Sequence, residues 1–128
     1  MRTGLAAILL MTLACEKTAK DPDCESYKKA PVISVEGADS GRIKETVAFN
    51  VAFAVLSGCG QFGRFEESRE GNSVNITVIA RYSGCICTAD IPRREAVYNF
   101  VAAKRGTYVL RFLPVLGAPL VTDTIIIE

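Results

Sequence analysis

The sequence predicts an all-β domain, a sandwich of about seven short strands behind a cleaved N-terminal leader. Three observations carry that expectation. Large apolar residues fall on every second position over Val47, Phe49, Val51, Phe53 and Val55, the spacing of a strand with one face in a core. Glycine, proline and asparagine interrupt the apolar runs at short intervals between Glu36 and Pro119, as turns do. Met1 and Arg2 precede an uncharged run, Thr3 to Ala14, with the small Ala14 just before Cys15. That is the layout of an export signal.

The run from Thr3 to Ala14 ends at Glu16 and Lys17, short of the roughly 20 apolar residues that cross a bilayer core. Its last residues, Leu-Met-Thr-Leu-Ala-Cys, resemble a bacterial lipobox. The resemblance implies a signal peptide over residues 1–14, acylation of Cys15, and membrane contact through that lipid anchor. A secretory leader cut without lipid and a buried N-terminal helix are the competing readings. Residues 15–30 are polar and charged apart from Cys24 and read as a tether. Residues 31–128 then form one domain.

The strands follow in order. Val32, Ile33 and Val35 make the first, closed by the turn-rich stretch from Glu36 to Gly41. Val47 to Val55 is the second. Its alternate positions Ala48, Asn50, Ala52 and Ala54 are small and uncharged, which suits partial cover by another strand, a loop or a partner. Phe62 to Glu70 is the third, and Gly71-Asn72 turns it as a hairpin into Val74, Ile76, Val78, Ala80 and Tyr82. Ala96 to Ala103, Thr107 to Leu113 and Leu120 to Ile127 complete the set, with Pro114, Gly117 and Pro119 marking the last connection. There is no internal repeat.

Seven short strands in this length resemble an immunoglobulin-like β-sandwich. Lys104-Arg105-Gly106-Thr107-Tyr108 sharpens the likeness, because it is similar to a tyrosine corner. The resemblance implies that Gly106 opens the corner and that the Tyr108 hydroxyl bonds to backbone just upstream. Leu110 stands where antibody domains place a cysteine, and tryptophan is absent. The likeness is therefore to the broad bacterial class and not to antibodies.

With Cys15 assigned to lipid, Cys24, Cys59, Cys85 and Cys87 remain, an even set in an exported chain and the signature of disulfides. Cys85 and Cys87 are too close in sequence to pair without strain, so Cys59 joins one of them and Cys24 the other. Ser57-Gly58-Cys59 and Ser83-Gly84-Cys85 are near-identical settings at strand ends. They put both at one end of the sandwich, and the reading favours Cys59 with Cys87. The alternative is a copper or zinc site on Cys59, Cys85 and Cys87. Against it stand the missing Cys-X2-Cys spacing and the oxidising compartment. No other cofactor is expected.

Losing Arg2 with the leader leaves 14 basic against 14 acidic residues, so nothing favours nucleic acid, which needs a concentrated basic face. Histidine is absent, which removes most familiar hydrolase and metal-site designs. Glu66 and Glu67 are neighbours on a strand and point to opposite faces, so they do not share a substrate. The expectation is a protein that is not an enzyme. Gly58-Cys59-Gly60-Gln61-Phe62 and Gly84-Cys85-Ile86-Cys87-Thr88 are similar to segments of small bacterial lipoproteins. The implied setting is the cell envelope of a Gram-negative bacterium, the outer membrane before the inner. There the chain would act as a binding or structural module for a protein or glycan, through loops bearing Gln61, Phe62 and Ile86.

Overall fold

The computed structural model describes residues 24–128, so the leader, Cys15 and the tether as far as residue 23 lie outside the described residues. Nine strands follow: β1 (Glu25–Ala30), β2 (Val32–Gly37), β3 (Ser40–Gly41), β4 (Val47–Ala54), β5 (Gly60–Glu70), β6 (Ser73–Ser83), β7 (Arg93–Phe100), β8 (Gly106–Phe112) and β9 (Val121–Ile127). They form two sheets. The smaller runs β2-β4-β7, all antiparallel; the larger runs β1-β6-β8-β9-β3, with β5 also on β6.

The period-two pattern becomes the core. Phe49, Val51 and Phe53 of β4 are fully buried, facing Val74, Ile76 and Val78 of β6 and Leu110 and Phe112 of β8 across the sandwich. Burying each such side chain contributes about 1.5–3 kcal/mol relative to leaving it in water. On the other face of β4, Ala48 and Asn50 are exposed while Ala52 is only 3% exposed. Arg93 explains the difference. It donates to Ser34 Oγ at 3.5 Å, and because β7 and β2 flank β4 its side chain must cross the alanine row.

β6 organises the large sheet. β5 pairs along one edge, entered by the two-residue hairpin at Gly71 (φ 57°) and Asn72. The other edge is divided. Ser73–Ile76 run parallel to β8, and Val78–Ser83 run antiparallel to β1. A second parallel contact joins β3 to β9. Immunoglobulin sheets are antiparallel, so the likeness holds at the level of the sandwich and not of every pairing.

Three expectations need correction. Residues 25–30, expected as tether, form strand β1 of the large sheet, so the sandwich includes chain ahead of Pro31. Four of the six β1 side chains are exposed, so the segment carries no apolar signal. It is held by backbone pairing to β6, by buried Ala30 and by a disulfide at Cys24. The stretch from Glu36 to Gly41 is likewise not all turn, since Glu36 and Gly37 extend β2 and Ser40–Gly41 form β3. β7 also starts and ends three residues before the expected Ala96 to Ala103, set by its ladder with β4 from Ala54↔Arg93 to Val47↔Phe100.

Candidate functional site

Both disulfides among the described residues lie at one end of the sandwich. Cys24 pairs with Cys85 and Cys59 with Cys87, at Cα separations of 4.9 and 5.3 Å, within the ordinary range for a bridge. Loop 55–59 after β4 and loop 84–92 after β6 are thereby stapled together, and the start of β1 is stapled to the second.

Hydrogen bonds complete the clamp. The Gly58 amide donates to the Thr88 carbonyl at 3.1 Å, Val55 to Pro92 at 3.2 Å and Gly84 to Cys24 at 3.1 Å. Arg94 donates from its guanidinium to the Gly60 and Gly58 carbonyls at 3.0 and 3.4 Å. The Leu56 amide donates to the Tyr82 hydroxyl at 2.8 Å. Arg94 thus braces the loop after β4 and the start of β5. Sequence offers little warning of that, because it turns on the loops' carbonyls and not on a neighbouring acid.

This end presents three aliphatic side chains, beside the exposed Thr88 and Asp90 of the same loop. Leu56, Ile86 and Ile91 are 61%, 95% and 70% exposed. Ile86 sits between two bridged cysteines that lead to different parts of the fold, so its loop cannot fold back to bury it. Gln61 and Phe62, expected on the loops, are strand residues of β5. Gln61 is exposed opposite Arg81, whereas Phe62 packs at 6.1 Å from the Phe53 ring and 4.7 Å from Phe65. The structure thus corrects Phe62 to a partly buried strand side chain packed against the core, because pairing to β6 draws β5 back to Gly60. Sulfurs bonded in pairs are not thiolates, so Cys59, Cys85 and Cys87 supply no copper or zinc ligands in this oxidised form.

A second constellation closes one side of the sandwich, where β5 meets β7. Glu67 receives the Tyr98 hydroxyl and the Arg69 guanidinium. Arg69 lies 4.9 Å over the Phe100 ring and donates to the Val101 carbonyl at 3.0 Å. Burial, and then the bond to and charge of Glu67, raise the Tyr98 pKa above the usual phenol value. Burial works against the Arg69 cation, but the bond to and charge of Glu67, together with Tyr98, outweigh it and raise the guanidinium pKa. Glu66 points the other way, opposite Thr77, with Arg64 at 2.9 Å. Beside it a shallow groove of about 210 Å³ is lined by Glu66, Glu67, Ser68, Asn75, Thr77 and Leu113.

At the far end, the Tyr108 hydroxyl donates to the Lys104 carbonyl at 2.7 Å. Gly106 has φ 148°, and a Cβ there would press on Asn72 Nδ2 at 3.0 Å. Glycine thus lets the corner pass beside the β5–β6 turn.

A family model described as the ORF11 beta-sandwich domain matches residues 49–118, more than half of the chain. The chain belongs to that family. The matched span runs from β4 into the β8–β9 connection, so the ORF11 beta-sandwich domain includes Cys59, Cys85, Cys87, the groove and the tyrosine corner. Cys24, β1 and β2 precede it. No curated protein and no solved structure matches the chain. The family's description names a fold and not an activity.

Proposed function

We propose that this ORF11 beta-sandwich protein is a lipid-anchored module of the bacterial cell envelope, in the outer membrane, that binds a protein or glycan without catalysis. The observation that carries the reading is the pair of disulfides gathered at one end. Bridges of this kind persist in oxidising compartments, and they pre-organise the two loops they join, which lowers the entropic cost of binding. The Cys15 leader supports the same compartment independently. The Glu67–Tyr98–Arg69 cluster is fully engaged in joining the sheets, which argues for a structural and not a chemical role.

Intact mass spectrometry of the protein extracted from native envelope tests the reading. The expected mass is that of a chain starting at an acylated Cys15 with no free thiol. An unmodified Cys15 removes the anchor. Two or more free thiols with bound copper or zinc would replace the stapled module by the metal-binding alternative.

A further inference from the structure

We infer that the disulfide-clamped end docks on the lipid bilayer, with Leu56, Ile86 and Ile91 entering the interfacial layer. The inference rests on the anchored reading above and adds an orientation and a second membrane contact to it.

The argument begins with length. Cys24 follows Cys15 by nine residues, a stretch of chain that can reach at most about 30 Å. Cys24 is bridged to Cys85 in loop 84–92, so the chain enters the domain at the end that carries the apolar residues. The opposite end, at Gly71 and Asn72, lies one β6 length farther, about 36 Å for a strand of 11 residues. A lipid on Cys15 therefore holds the clamped end close to the membrane and leaves the tyrosine corner far from it.

Chemistry points the same way. Isolated exposed aliphatic residues are ordinary on a protein surface. Three on two stapled loops, including one held out between two bridges, are a rigid apolar tip. A rigid apolar tip beside the anchor adds a second membrane contact without loop ordering.

The chain has no tryptophan, so one introduced indole reports its own surroundings. Ile86→Trp and, separately, Leu56→Trp are prepared in the full acylated protein and reconstituted into phosphatidylethanolamine–phosphatidylglycerol vesicles. Val97→Trp, on the outer face of the small sheet, is the control. The expected result is blue-shifted emission and a severalfold loss of iodide quenching at positions 86 and 56, with bromolipid quenching there and none at 97. Vesicle-bound protein whose indoles at 86 and 56 stay as open to iodide as that at 97 overturns the docking and leaves the anchor standing. Protein that fails to bind vesicles, with Cys15 unmodified by mass, overturns both. A blue shift produced by lipid-free envelope proteins and not by vesicles assigns the tip to a protein partner and also overturns the docking.

Discussion

Tyr98→Phe tests the clasp between β5 and β7 most directly. The substitution removes one hydroxyl and keeps the ring, so edge-on packing at 5.3 Å on Phe65 and 6.2 Å on Phe112 is retained. What is lost is a hydrogen bond to a carboxylate, in the class worth about 1.5–3 kcal/mol. Glu67 keeps Arg69 and a partly exposed side chain, which places the loss near the lower bound, about 1.5 kcal/mol. In a domain of this size that is a fall in Tm of roughly 6–12 °C. The pH dependence is the sharper test. The Tyr98 pKa is raised in the folded state, so above about pH 10 the unfolded chain gives up this proton while the folded chain keeps it. Stability from this group is complete below pH 10 and declines above it, by at most about 1.4 kcal/mol per pH unit. The variant lacks the group, so the gap in Tm between the two proteins should narrow from pH 8 to pH 11. Differential scanning calorimetry across that range reads it. A gap that is constant with pH, or no gap at pH 8, refutes the clasp.

Removing the bridges separates their roles. In the chain-entropy description, the Cys24–Cys85 bridge, closing 61 residues, contributes about 4 kcal/mol and the Cys59–Cys87 bridge, closing 28, about 3.5 kcal/mol. Cys24→Ser with Cys85→Ser, and Cys59→Ser with Cys87→Ser, should each lower the urea midpoint by amounts in that order, as followed by far-ultraviolet circular dichroism. Tyr108→Phe should cost about 1 kcal/mol by loss of the bond to Lys104, with no dependence on reductant. A neutral result at position 108 in the same denaturation assay would remove the corner's structural role.

Legibility differed along the chain for physical reasons. β4 was plain in sequence because five large apolar residues and four small neighbours alternate without a break, and the hairpin was plain because Gly71-Asn72 stands between two extended runs. β1 was hidden. Its ladder to β6 is made by backbone groups, and Lys28 and Lys29 in it look like linker. The parallel contact between β6 and β8 was hidden too, since register between strands more than 25 residues apart leaves no local trace. In the candidate site, the cysteines are legible by residue type and Ile86 by its place between two of them. Leu56 and Ile91 are not, because exposed and buried aliphatic residues read alike until the loops are placed. In sequence Glu67 is only a strand neighbour of Glu66, and the approach of β7 makes it a partner of Tyr98.

The divided edge of β6 ties these observations together. β8 covers only its first four residues, so the rest of that edge needs another strand to avoid presenting open backbone groups. β1 fills the position with little apolar burial of its own, and a strand held mainly by backbone bonds frays readily. The Cys24–Cys85 bridge fixes the end of β1 that leads back towards Cys15. A pull transmitted from an anchored N-terminus therefore reaches β6 through a covalent link and not by peeling a weakly packed strand. It also reaches the same loop that holds Ile86 outward. The proposed anchor, the closure of the sheet and the proposed docking tip converge on Cys85, just beyond the end of β6.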